Sequence, residues 1–267
     1  GGGGPPPPLP YPALSPERTM KSLLCTVGAA LLVLALVLGA PSAHASVVIA
    51  GTRVVFPAAT GEVTIRLTNN GSHPALIEAW IDDGDPNSTP DTAKVPFLVT
   101  PPLVRMNAGK GQSLRIVYTG QPLPTDRESL FWLNVLEIPP KPTAKAGEEQ
   151  NTLQFAIRSR LKLFFRPSGL AGDFATASRQ IAWSVVSDAK GYALEARNAS
   201  PYYITFNKVS LTAAGHTYDA GTGMVAPGSS LRLPLAGLGR AVTAAQVDYT
   251  VINDFGAGAT YKGSISP

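Results

Sequence analysis

From Glu62 onward the chain alternates polar and apolar residues in steps of two. In Glu62-Val63-Thr64-Ile65-Arg66-Leu67-Thr68 the apolar residues Val63, Ile65 and Leu67 fall on one side, as in a half-buried β-strand. Asn69-Asn70-Gly71 is a turn signal that ends it. Ala75 to Ile81 follows, with Ile77, Ala79 and Ile81 on one face and Leu76 and Trp80 on the other, until Asp82-Asp83-Gly84-Asp85-Pro86 breaks the run. The same spacing predicts strands at Ser113–Thr119, Leu130–Glu137, Leu153–Phe165, Gln180–Val186, Tyr192–Arg197, Tyr202–Leu211, Val247–Ile252 and Thr260–Ile265. Amphipathic helical spacing is not sustained anywhere over 11 residues. Many short strands punctuated by Gly, Pro and Asn predict an all-β chain built of β-sandwiches. Two sandwiches of about 100 residues each fit better than one large one, and Arg166-Pro167-Ser168-Gly169-Leu170-Ala171-Gly172 is the natural break.

The alternation does not reach the N-terminal region. Gly1 to Pro10 is almost wholly Gly and Pro, and Met20-Lys21 then leads into the apolar run Val27 to Ala40. Pro41-Ser42-Ala43-His44-Ala45 places small residues at the −3 and −1 positions of a cleavage site. This three-part layout predicts a secretory signal peptide over residues 20–45, because a membrane span would need roughly 20 apolar residues. Cys25 precedes the apolar run instead of ending it, which argues against a lipid anchor. Residues 1–19 then read as an over-extended start or appended residues without function. The expected domains are 46–167 and 168–267, with no stable membrane anchor.

Composition narrows the function classes. The chain of 267 residues is 44% hydrophobic and 15% charged, with a net charge of +4, which excludes charge-driven disorder. No Lys/Arg block stands out, so nucleic acid is not an expected partner. The single Cys lies in the leader, which excludes a disulfide framework and a multi-cysteine zinc site. Beyond the leader His73 and His216 are the two histidines, each beside turn residues and with no partner at metal-ligand spacing. Patterns such as H-E-x-x-H, G-x-S-x-G and the P-loop are missing, and Gly237-Leu238-Gly239-Arg240 is only a fragment of a glycine fingerprint. No cofactor is expected, and an enzyme is disfavoured.

One segment goes further. Leu123 to Pro140, LPTDRESLFWLNVLEIPP, resembles the signature of the PapD-like periplasmic chaperones that assemble pili and fimbriae. Gly51-Thr52-Arg53-Val54-Val55-Phe56, Thr100-Pro101-Pro102 with Arg105, Arg158 to Pro167, and Ile252-Asn253-Asp254-Phe255-Gly256-Ala257 resemble further family segments in the same order. The resemblance implies two immunoglobulin-like sandwiches set at an angle with a cleft between them. It also implies a periplasmic, non-enzymatic chaperone that lends a strand to an incomplete pilus subunit and delivers it to an outer-membrane usher. The alternative is a surface-displayed two-domain immunoglobulin-like structural or adhesive protein, which would need no cleft cation pair. An exported hydrolase is a distant third.

The resemblance also assigns residues. Arg53 and Lys162 match the pair that anchors a subunit's terminal carboxylate, a role suited to a forked guanidinium and a point charge. Leu153, Phe155 and Ile157 share one parity of an unusually long alternating stretch, and are expected to enter the subunit, while Leu161 and Leu163 pack within the chaperone. Glu128, Arg166 and Asp254 match an ion-pair network that holds the domains together. The polar segment between Ile138 and Leu153 is short, like that of the branch serving rod-like pili. A free protein with such a strand could also cap it by forming a homodimer.

Overall fold

The structure, a computed structural model, describes residues 1–4, 46–141, 153–188 and 191–265. The signal-peptide segment 20–45, all but four residues of 1–19, and most of the loop between Ile138 and Leu153 lie outside the described residues. Ala45–Pro267 forms one unit, and its architecture is that of two β-sandwiches in series.

The first contains β1 (Val47–Ile49), β2 (Arg53–Pro57), β3 (Glu62–Asn69), β4 (Ala75–Asp82), β5 (Phe97–Thr100), β6 (Leu103–Met106), β7 (Gly111–Tyr118), β8 (Ser129–Ile138) and β9 (Ile157–Arg166). They form a sheet ordered β1-β3-β7-β5 that faces another ordered β2-β9-β8-β4-β6. Alternation decides what enters the space between them. Ile65 and Leu67 of β3, Ile77, Ala79 and Ile81 of β4, Leu133 and Val135 of β8, and Leu161, Leu163 and Phe165 of β9 are all buried in one cluster. Phe56, Phe97 and Phe131 complete it, with ring centroids 5.4 Å apart for Phe56–Phe97 and 4.9 Å for Phe97–Phe131, spacings at which edge-to-face packing is favourable.

The second sandwich begins with a short helix, α1 (Phe174–Arg179), and continues through β10 (Ala182–Asp188), β11 (Gly191–Arg197), β12 (Ile204–Ala213), β13 (His216–Val225), β14 (Ser230–Pro234), β15 (Ala245–Ile252) and β16 (Gly258–Ile265). Its strands form one folded-over sheet in the order β13-β12-β15-β16-β10-β11-β14, with Trp183, Phe206, Tyr249, Leu211 and Val247 in its core.

Both sandwiches turn a corner with the same device. Buried Asn69 donates from Nδ2 to the carbonyls of His73 (2.9 Å) and Met106 (3.1 Å), while its Oδ1 accepts from Gly71 N. Buried Asn198 donates to the carbonyls of Tyr202 (2.7 Å) and Ala226 (3.1 Å), and its Oδ1 accepts from Ser200 N. The side chain satisfies backbone groups that the turn would otherwise leave unpaired.

Several elements differ from the sequence-based expectation, and the short strands β1, β5, β6 and β14 lie outside every predicted strand. The strand predicted over Leu153–Phe165 begins only at Ile157, because its neighbour β8 stops at Ile138 and the last pair in the ladder is Glu137↔Ile157. Helix α1 is six residues long, too short to show a helical period, and is nucleated by Asp173, whose side chain accepts from Thr176 N at 2.8 Å. β13 was not predicted. Gly221 and Gly223 interrupt its alternation, and a Cβ at Gly223 would lie 2.6 Å from Leu231 Cδ2, so the leucine fills the place of a side chain.

Candidate functional site: the cleft between the sandwiches

β9 is the central element of the site. Its N-terminal half has one partner, β8, through Glu137↔Ile157 to Leu133↔Leu161. Its C-terminal half has two, because β2 joins in parallel at Arg53↔Lys162 and runs to Pro57↔Arg166. Among the described residues the edge of Ile157–Leu161 on the β2 side is therefore unpaired. The side chains change character at the same place. Leu161 (6% exposed) and Leu163 (0%) are in the core, whereas Ile157 is 54% exposed and the preceding Phe155 and Leu153 are 68% and 78% exposed. Three large apolar residues in one short segment lie in water beside an open strand edge, a placement that needs a reason.

The opposite face of β9 carries Arg158, Arg160, Lys162 and Phe164, looking away from the first core. Register places Lys162 beside Arg53, and each is half-buried. Lys162 Nζ donates to Thr205 Oγ1 at 3.3 Å, and Arg53 Nη1 donates to the Ile252 carbonyl at 2.8 Å. Both acceptors belong to the second sandwich. Neither cation forms a salt bridge among the described residues, and Arg53 Nε is buried without a partner. Burial first, and the neighbouring Arg53 second, lower the Lys162 ammonium to about 8. Burial likewise lowers Arg53, against the opposing pull of Asp254 and Glu128. Two adjacent cations, both penalised by desolvation and neither held in a salt bridge among the described residues, have the chemistry to attract an anion.

Glu128, Arg166 and Asp254 come together a few residues away. Arg166 donates from Nε to Glu128 Oε1 at 2.7 Å, and forks to Asp254 through Nη1 (2.7 Å) and Nη2 (2.9 Å). Glu128 also accepts from Tyr203 N at 2.8 Å, and its own N–H donates to the Pro201 carbonyl at 2.9 Å. Arg166 and Glu128 come from the first sandwich, while Asp254, Tyr203 and Pro201 come from the second, so the cluster spans the junction. Burial raises the Glu128 carboxyl despite the attraction of Arg166. Burial would lower Arg166, but hydrogen bonds and charge from Asp254 and Glu128 outweigh it and raise the guanidinium. The junction also packs Phe164 against Tyr203 in a tilted arrangement, centroids 5.8 Å apart.

The model of the PapD N-terminal domain of pili and flagellar-assembly chaperones matches residues 46–171, and that of the C-terminal domain of pili assembly chaperones matches residues 176–263. The chain belongs to this chaperone family. It is 46% identical over 231 residues to chaperone protein FimB/FhaD of Bordetella pertussis, covering 85% of this chain and 91% of that one. The crystal structure of the Pseudomonas aeruginosa CupB2 chaperone is similar at 41% identity and a TM-score of 0.69, covering 82% of this chain and all of that one. A chain of the Salmonella enterica SafA pilin–SafB chaperone complex is similar at 28% identity and a TM-score of 0.67, covering 85% and 99%. Membership of a chaperone family displaces the alternative of a surface-displayed structural or adhesive protein.

Several parts of this chaperone's cleft carry no mark in the sequence. Thr205, Tyr203 and the Ile252 carbonyl act through distant pairings that spacing does not report. Arg158 and Arg160 were within reach, since cations recur at every second residue from 158 to 162. Among the described residues no group of three or more His, Cys, Asp or Glu could hold a metal ion, and no helix is long and apolar enough to cross a membrane.

Proposed function

We propose that this chaperone captures pilus subunits in the periplasm by completing their fold with β9, using Arg53 and Lys162 to hold the subunit's terminal carboxylate. The observation that carries this reading is the alignment of two features on one strand. A cation pair with no salt bridge among the described residues sits at Arg53 and Lys162, and exposed Ile157, Phe155 and Leu153 precede it beside an unpaired edge. A subunit strand that entered this edge would gain main-chain hydrogen bonds. Each apolar side chain that it covered fully would contribute roughly 1.5–3 kcal/mol. The carboxylate in the cation pair sets register, and register matters because a slip of one residue turns every donated side chain away from the subunit.

Glu128, Arg166 and Asp254 serve architecture in this reading, holding the two domains, 46–167 and 168–267, at the angle that forms the cleft. The captured subunit is passed to an outer-membrane usher, and without a subunit the exposed segment can be capped by a second copy of the chain. Arg53→Ala and Lys162→Ala test the anchor by co-purification with the cognate pilin. Each is expected to weaken the complex by at least ~30-fold, the cost of removing one partner of a desolvated charge pair. Unchanged recovery would overturn it.

A further inference from the structure

We propose that Asp82, acting through Arg158 and Arg160, is a positioning device that holds the open half of β9 extended before a subunit arrives. The inference rests on the donor-strand reading above and extends it to residues on the other side of the sheet. Asp82, at the end of β4, is 1% exposed and lies two strands from β9. Its Oδ1 accepts from Arg160 Nη2 at 2.6 Å and from Gly84 N at 2.8 Å. Its Oδ2 accepts from Asn134 Nδ2 of β8 at 2.6 Å and from Ser88 Oγ at 2.9 Å, with Arg158 Nη2 3.5 Å away. Arg158 adds bonds from Nε to Asn134 Oδ1 (2.9 Å), from Nη1 to the Pro86 carbonyl (2.7 Å) and from Nη2 to Ser88 Oγ (3.2 Å). The two guanidinium groups lie over Trp80 and Trp132, at 4.6 Å and 4.8 Å from the ring centroids.

These contacts tie β4, β8 and β9 together across the face opposite the first core. They act on the residues that most need it. Ile157–Leu161 has a strand neighbour on one edge only, and Ile157 and its predecessors make little packing that would hold the backbone. Strand ends with few buried contacts open easily. A segment that must be straight when a subunit meets it would lose affinity to the cost of ordering, and a fixed segment avoids that cost. Charge-assisted bonds to a buried carboxylate are suited to this task. The opposing hydrogen bonds outweigh burial and keep the Asp82 carboxyl below its ordinary range, so the group stays charged.

Amide hydrogen exchange of the free chaperone, and the rate at which it captures denaturant-released pilin, test the device in Arg158→Ala, in Arg158→Ala/Arg160→Ala and in Asp82→Asn. Exchange at residues 157–161 should rise by on the order of tenfold while the rest of β8, β2 and the second sandwich keep their protection. The capture rate should fall by about the same factor, with Arg158→Ala the mildest variant. Unchanged exchange at 157–161 would overturn the proposal, as would normal capture by a variant whose segment has loosened. Loss of protection throughout the first sandwich, in Arg158→Ala as well as in the others, would make the cluster a general stabiliser and overturn it too. The donor-strand reading fails separately: wild-type chaperone would then capture pilin no better than Phe155→Glu, whatever the exchange at 157–161.

Discussion

Lys162 is a residue whose ionisation lies well below its ordinary value. Buried beside Arg53 and given one hydroxyl to bond, its ammonium is lowered to about 8. A carboxylate placed between the two cations favours the charged form, so binding above about pH 8 requires uptake of a proton. Affinity for a subunit is therefore expected to be flat below pH 7 and to fall as pH rises above 8, by up to about tenfold per unit. Lys162→Gln should bind more weakly at every pH and lose that slope. Folding of the free chaperone changes in the opposite sense. The unfolded lysine keeps its proton up to about 10.5 and the folded one loses it near 8, so the destabilising effect of the buried charge is fully present below pH 8. It is relieved as pH rises through 8 toward 10.5. Titrating binding and denaturant midpoint on the same protein separates the two effects.

At the scale of the element, β9 is one strand with two halves, and substitutions should sort by half. Leu163 is fully buried, so Leu163→Ala is expected to cost about 2–5 kcal/mol of stability. Phe155 is 68% exposed, so Phe155→Glu should leave stability within about 0.5 kcal/mol and abolish subunit capture. Urea denaturation and pilin co-purification read the two outcomes. If Phe155→Glu unfolded the chaperone, the residue would be part of its own core. Much of this was legible in advance. The shared parity of Leu153, Phe155 and Ile157 follows from period-two spacing, but Leu161 and Leu163 have that same parity, and their burial depends on where the core and β2 begin. The family resemblance, carried by Gly51–Phe56, Leu123–Pro140 and Ile252–Ala257, directed attention to Arg53, Glu128 and Asp254. Spacing could not show that β9 would begin at Ile157, because a strand's start depends on where its neighbour ends. Nor could it show β13, where Leu231 occupies the room that Gly223 leaves open. Asp82 also escaped notice: within its run of acids and turn residues it looks like a breaker, and its role appears only when β8 and β9 are laid beside β4.

For the whole molecule the junction is the decisive feature. Glu128 is 3% exposed, and Arg166 is the cation that bonds it. Arg166→Ala would leave a buried carboxylate without its counter-charge, and the expected cost is about 3–5 kcal/mol, measured by denaturation. Solution scattering should show the two sandwiches less firmly held, and capture should weaken although the variant leaves Arg53, Lys162 and the exposed segment unchanged. Arg53 and Lys162 are both residues of the first sandwich, yet the atoms that seat them, the Ile252 carbonyl and Thr205 Oγ1, come from the second. Neither half of the protein can aim the pair alone. On the proposed anchoring role, a chaperone whose halves have parted would lose its grip on a client's terminus. If the pair anchors a client as proposed, the cleft would act as a coincidence detector, admitting a client only when both sandwiches have folded.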